Sequence, residues 1–423
     1  MNFISTRRRA PPLSIRAAIE QGLAPDGGLY VPREFPTLSA PDFAGANTLP
    51  EVAAILLRPF FAEDPVLTAA LPEICKKTFH FPTPLTPVKR DFILELFHGP
   101  TGAFIDVGAR FLSECIQIMS TKRETVLVAT SGDTGGAVAA AFFDKPNIDV
   151  VILYPKGKIS PRQEAQLCAW GGNVRAIAIQ GTFDDCQRLA KEAFLSPCKR
   201  SYVSANSINL GRILPQMVYY AWAALQHPGI GFIIPSGNLG NGLACMWAKK
   251  IGLPIGPIAL AFNTNRSVVH YFETGNYKPL PTLPTLANAM DVSNPSNLDR
   301  VRDLYPSIIE LRHEVSADWA SDEEIRDAIK TSERDWGQIF CPHTAVGAVV
   351  RNKMKTQAKL DSRPWVLVAT AHAAKFETIV EPLIGRPLEI PPSISAMLNR
   401  PMQNQTIQPV LSELTAILDR SSP

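Results

Sequence analysis

Two short segments carry the glycines and small polar side chains from which a small-molecule site could be built. The first is Ala129-Thr130-Ser131-Gly132-Asp133-Thr134-Gly135-Gly136, set between an apolar run and the Ala-rich stretch Ala137-Val138-Ala139-Ala140-Ala141. Its glycines let backbone N–H groups converge at a helix start, and Ser131 and Thr134 add hydroxyl donors, which is the chemistry of an anion seat. A tight strand-to-helix turn with a Ser/Asp cap is the plainer reading of the same residues. The second segment is Ile234-Pro235-Ser236-Gly237-Asn238-Leu239-Gly240-Asn241-Gly242. No Gly-Lys-Ser/Thr follows, so it is not a Walker loop, and its glycines do not fit G-x-G-x-x-G. Consecutive N–H groups and a side-chain amide suit one phosphate, although a capped turn again reads as well. Two such loops at matching strand ends favour a ligand held between two lobes.

Other chemistries find no support. The 7 histidines lack H-x-x-x-H and H-x-x-E-H spacing, so no metal site is expected. No G-x-S-x-G elbow is present. The pairs Asp184-Asp185 and Glu323-Glu324 read as solvated helix caps. With 42 Lys+Arg against 39 Asp+Glu, the net charge of +3 is too weak and dispersed for a nucleic-acid partner. Arg7-Arg8-Arg9 reads as a solvated terminus. No apolar run reaches the roughly 18 residues of a membrane span, and the N-terminus has no signal-peptide core. The 7 cysteines are scattered without a C-x-x-C pair, which predicts free thiols and a cytoplasmic location.

The elements that must position the loops follow from periodicity. Hydrophobic residues at 46% against 19% charged exclude a disordered chain. Strands are expected at 125–129, 149–154, 173–180, 231–235, 257–262 and 364–369, with helices at 135–143, 160–170, 182–195 and 240–251. Wholly apolar strands separated by single helices predict parallel sheets covered on both faces. Among 37 prolines, the cluster Pro82, Pro84 and Pro87 closes an N-terminal region with helical patterns at 14–20 and 50–57. There is no internal repeat.

These segments, read with others along the chain, identify a family resemblance. Gly22-Leu23-Ala24-Pro25-Asp26-Gly27-Gly28-Leu29-Tyr30-Val31-Pro32, Glu95-Leu96-Phe97-His98-Gly99-Pro100-Thr101, Thr130 to Gly135, Ser204-Ala205-Asn206-Ser207-Ile208-Asn209, Pro235 to Gly240, Asn288-Ala289-Met290-Asp291-Val292-Ser293 and Thr370-Ala371-His372-Ala373-Ala374-Lys375-Phe376 occur in order. Over nearly the whole chain this resembles the threonine synthases of the long bacterial and fungal type, fold-type-II pyridoxal-phosphate enzymes.

The resemblance implies an α/β architecture like that of tryptophan synthase β. Residues 1–90 would form a mainly helical N-terminal domain, 91–205 a smaller lobe and 206–423 a larger one. It implies pyridoxal 5'-phosphate as cofactor and conversion of O-phospho-L-homoserine and water to L-threonine and phosphate, by a monomer or homodimer. Ser236, Gly237, Asn238, Leu239, Gly240 and Asn241 would bind the cofactor phosphate, and Thr370 would face the pyridine nitrogen. Ser131, Gly132, Asp133 and Thr134 would hold the substrate's carboxylate or phosphate, with Asn206, Ser207, Asn209 and Arg212 at the substrate's other end. One position departs. The family carries F-K-D after H-G-P-T, its lysine holding the cofactor as a Schiff base, whereas this chain reads Phe104-Ile105-Asp106. Isoleucine supplies neither that bond nor a general base. Lys156, Lys158 and Lys375 each belong to another family motif. An isolated loss among intact motifs predicts an inactive or trapped form of the enzyme. The alternative is a non-catalytic protein that binds pyridoxal phosphate or an amino-acid phosphate on the same scaffold.

Overall fold

Apolar runs bounded by glycine and small polar residues become the central strands of two separate sheets. The computed structural model describes residues 1–195, 202–356 and 363–419 of the 423. A six-stranded sheet has the order Val315–Trp319, Ile258–Phe262, Gly231–Pro235, Trp365–Ala369, Asp91–Glu95, Leu85–Val88; all neighbours are parallel except the last pair. A five-stranded, wholly parallel sheet runs Asn404–Ile407, Val174–Ile179, Ile148–Pro155, Glu124–Ala129, Tyr202–Ser204. Helices cover both, as buried parallel strands require. The architecture is the fold-type-II α/β arrangement.

The six expected central strands form within a residue of their anticipated ends, and the helices Asp133–Phe142, Pro161–Cys168, Phe183–Leu195 and Gly240–Lys250 stand between them. Four further strands carry no strong sequence signal, and each lies at a sheet edge. Leu85–Val88 contains Pro87, Tyr202–Ser204 has three residues, Asn404–Ile407 is polar, and Val315–Trp319 is half polar. Edge strands bury one flank only and tolerate proline and polar side chains. Their pairing also crosses the contiguous division expected at 90/91 and 205/206. Residues 85–88 and 91–95 join the larger sheet, and 404–407 return to the smaller one.

The N-terminal region holds the helices Ile15–Gln21, Leu49–Phe61 and Pro65–Thr78 and a two-stranded sheet, Phe3–Ser5 with Tyr30–Pro32. Its apolar faces share one core with helices of both lobes. Six cysteines are buried and unbonded to one another, while Cys198 lies outside the described residues. No described helix is long and apolar enough to cross a membrane.

Candidate functional site

Between the sheets, at the carboxyl ends of their strands, lies a cleft of about 320 Å³. Strand 365–369 ends at Thr370, whose carbonyl accepts the Phe104 N–H at 2.8 Å. That bond sets Ile105, the first residue of the helix Ile105–Met119, beside Thr370 on the cleft wall. The Thr370 N–H donates to Thr344 Oγ1 at 3.2 Å, but the buried Thr370 hydroxyl has no partner.

The neighbouring strand 231–235 delivers the second loop, of which Ser236 through Asn241 all line the cleft. Leu239 takes a left-handed backbone (φ 63), a strained state for a branched side chain, and ends the loop against the helix Gly240–Lys250. The first N–H groups of that helix have no carbonyl within it to bond. Gly237 is needed for close approach, since a Cβ there would sit 2.9 Å from Met290 Cα. Asn241 Oδ1 takes the hydroxyls of Tyr219 and Tyr220 at 2.6 and 2.7 Å, leaving its buried Nδ2 unpartnered.

Ser131, Asp133 and Thr134 also line the cleft. Gly132 does not, because its N–H and that of Gly135 both turn to Thr130 Oγ1 at 3.0 and 2.9 Å. Asp133 meets Lys375 Nζ at 2.9 Å and Gln163 Nε2 at 2.9 Å. Burial is the largest influence and works against the Asp133 charge, but Lys375, His343 and the Gln163 hydrogen bond together outweigh it and hold the carboxyl below its ordinary range. Lys375 is fully buried and spends a second proton on Thr101 O at 2.6 Å. Lys156 and Lys158 are exposed on the surface. Among the described residues, no lysine lines the cleft.

Asn206, Ser207 and Arg212 line it as well. The buried Arg212 gives Nη1 to Ala205 O, while its Nε is unpartnered. Burial lowers its guanidinium to about 10, so it stays cationic at neutral pH. Gly108 makes room for it, since a Cβ there would lie 2.9 Å from Arg212 Nε. Asn209 is not brought to the cleft. Its amide caps its own turn at Gly211 N (2.9 Å) and donates to Ile19 O (2.8 Å) and Ser204 O (3.0 Å), all structural uses.

Sequence reasoning missed several wall residues. Asp185, not Asp184, caps the helix Phe183–Leu195 by accepting from the Thr182 N–H and hydroxyl; Asp184 is exposed at the cleft mouth. His343 had no motif around it. Burial pushes it down to about 4, and its Nε2 accepts the Ala289 N–H at 3.2 Å, so a neutral ring faces the cleft. Asp291 also reaches the wall, accepting from Thr285 N–H and hydroxyl, Asn263 and Asn265 at 2.7–3.1 Å. Burial raises its carboxyl to about 6. The folded chain therefore binds this proton more tightly than the unfolded one, and Asp291 makes stability fall as pH rises from about 4 to 6, with no further effect above. Asp291→Asn is expected to flatten that segment of the pH–Tm curve; an unaltered slope would count against the assignment.

A model described as "Pyridoxal-phosphate dependent enzyme" matches residues 77–371, "Threonine synthase N terminus" matches 2–79 and "Threonine synthase, C-terminal" matches 344–417. The chain is 38% identical to a threonine synthase of Haemophilus influenzae over 100% of both chains. It is 37% identical to that of Escherichia coli over 93% of this chain and 94% of the other. The crystal structure of the Escherichia coli enzyme superposes with a TM-score of 0.90 at 35% identity, covering 99% of each chain. A structure titled as pyridoxal-phosphate-bound threonine synthase from Brucella melitensis gives 0.91 at 33% identity, covering 99% of this chain and 98% of that one.

Proposed function

The chain belongs to the threonine synthase family, pyridoxal-phosphate-dependent lyases, and on that premise we propose that Ile105 stands where the family's cofactor-binding lysine stands. The cleft is otherwise furnished for O-phospho-L-homoserine, water, L-threonine and phosphate. The observation that carries this reading is a cleft wall without a lysine, with Ile105 held next to Thr370 by the Phe104 N–H.

Orphaned groups of the cleft fit the cofactor. The backbone N–H groups after Ser236 in the loop ending at Gly240 suit a phosphate monoester, and the unpartnered Thr370 hydroxyl suits a neutral pyridine nitrogen. Pyridoxal phosphate, when bound, supplies the electron sink that lets the substrate's α- and β-protons leave. The remaining work falls to side chains. Arg212, buried and with Nε uncommitted, offers a charge-assisted donor for the substrate phosphate or carboxylate. Ser131 and Thr134 add hydroxyls on the facing lobe, and Asn206 and Ser207 close the substrate end. His343, neutral and with Nε2 occupied, is spared as an acceptor. No residue at position 105 takes or returns a proton, so the chain as written binds its ligands and turns over slowly or not at all.

The test is phosphate release from O-phospho-L-homoserine by the native chain and by Ile105→Lys, both supplied with cofactor. Rapid native turnover, or silence from both, overturns the reading. Thr370→Val separates ligand binding from stability. Removing an unpartnered buried hydroxyl is expected to raise the stability of the cofactor-free chain by about 1 kcal/mol. In the Ile105→Lys background it is expected to slow turnover on the order of tenfold. A lowered melting temperature together with unchanged turnover would reject the pyridine role.

A further inference from the structure

Arg300, in the helix Leu298–Leu304, is fully buried. Its Nε donates to Tyr30 O at 3.0 Å, and its Nη1 to Ser207 O at 3.2 Å and Asn297 Oδ1 at 2.8 Å. Its Nη2 donates to Ile208 O at 2.7 Å. Every acceptor is neutral, and among the described residues no carboxylate forms an ion pair with it. Burial lowers the guanidinium to about 9, which leaves it cationic at neutral pH. A buried cation without a counter-ion is costly, and proteins keep few of them.

What Arg300 holds explains where the missing negative charge would sit. Ser207, gripped by its carbonyl, accepts Asn238 Nδ2 on its hydroxyl at 2.6 Å. Asn297, gripped by its Oδ1, donates Nδ2 to Asn238 O at 3.0 Å. The Ser296 N–H closes on Asn238 Oδ1 at 2.6 Å. Asn238 is thereby fixed at both its amide and its backbone, in the middle of the loop that enters the helix Gly240–Lys250. Ser207, Asn238 and Ser296 line the cleft, while Arg300 lies behind them.

We propose that Arg300 is a positioning residue for the phosphate monoester held by the Ser236–Asn241 loop. Its unneutralised charge is completed by the bound dianion, and its fork fixes Ser207 and Asn238 in the binding arrangement. The inference rests on the reading that this loop takes the cofactor phosphate. Removing one buried cation near the phosphate loop is expected to change affinity on the order of tenfold.

Pyridoxine 5'-phosphate and pyridoxine carry no aldehyde, so neither couples to surface lysines. Titrated calorimetrically into the full chain, the phosphorylated ligand is expected to bind more tightly. Arg300→Gln is expected to weaken pyridoxine 5'-phosphate about tenfold and to leave pyridoxine unchanged. Arg300→Lys, which keeps charge but not the fork, is expected to retain most of the preference. Equal weakening of both ligands in Arg300→Gln, or an unchanged ratio, overturns the proposal. If Arg300→Gln fails to fold, Arg300→Lys decides, and a lost preference there rejects the electrostatic role. A native chain that fails to distinguish the two ligands instead overturns the loop's assignment to phosphate.

Discussion

Ile105→Lys is expected to raise the rate of phosphate release from O-phospho-L-homoserine on the order of 10³-fold, the scale of a positioned general base. Geometry favours the gain. Residue 105 opens the helix Ile105–Met119 and lines the cleft from the edge of the hydrophobic core, so a side chain placed there starts at the cleft wall. The preceding residue is pinned by the bond from Phe104 N–H to Thr370 O, and the following one by Asp106, which accepts the Thr101 N–H and hydroxyl at 2.9 and 2.7 Å. The new amine therefore arrives on a backbone held at both sides, as a catalytic group requires. A second readout is covalent. Borohydride reduction in the presence of cofactor should label the peptide that carries position 105 in the variant and leave the native peptide unlabelled. A labelled variant without turnover would point to the non-catalytic alternative, in which other parts of the cleft have also lost their chemistry.

Lys375→Met carries the largest expected loss of stability. Lys375 and Asp133 form a buried pair at 2.9 Å, with 0% and 6% of their side chains exposed. Removing the cation leaves a largely buried carboxylate with Gln163 as its remaining side-chain partner, at a cost of about 3–5 kcal/mol. Asp133 lies at the start of the helix Asp133–Phe142 in the smaller lobe, and Lys375 also grips Thr101 O, so the pair spans the two lobes under the cleft. In the native chain the Asp133 carboxyl sits below its ordinary range, so its contribution is present at neutral pH and is lost as pH falls through the lowered value. Without Lys375, only Gln163 and His343 oppose burial, and that carboxyl rises. The variant's deficit in the urea midpoint should then narrow on acidification, and Lys375→Met with Asp133→Asn should recover most of it. A constant deficit across pH, or none, would show that the pair is not the source.

The parts of the site legible in sequence share one physical origin. Where a buried parallel strand meets a helix, the chain must turn in little space near a ligand, which selects glycine and small polar residues and leaves a run such as Ser236–Asn241. Residues that act from within the fold leave no such trace. Asn206 and Asn209 have the same side chain three positions apart, yet one reaches the cleft while the other caps a turn and ties down Ile19. His343 and Asp184 come to the wall through elements whose packing no local pattern encodes, and Asp291, although inside the family segment Asn288–Ser293, had no role assigned to it. Ile105 reads as an ordinary buried residue at a helix start, and only the family pattern around it makes its side chain conspicuous. The four edge strands of the two large sheets escaped notice for the complementary reason, since an edge asks too little of its residues to mark them.

That edge pairing governs the order in which the molecule can be made. Asn404–Ile407 flanks Val174–Ile179, and Trp365–Ala369 separates Asp91–Glu95 from Gly231–Pro235. During synthesis from the N-terminus, the larger sheet has a gap until residue 369 has left the ribosome, and the smaller one has an open flank until residue 407 has. Neither lobe is a finished unit that waits for the other. The nascent chain carries the apolar strand Val174–Ile179 with one bare edge through most of its translation, a period in which aggregation competes with folding. The last polar strand, which contributes nothing to the cleft, is the piece that ends that exposure.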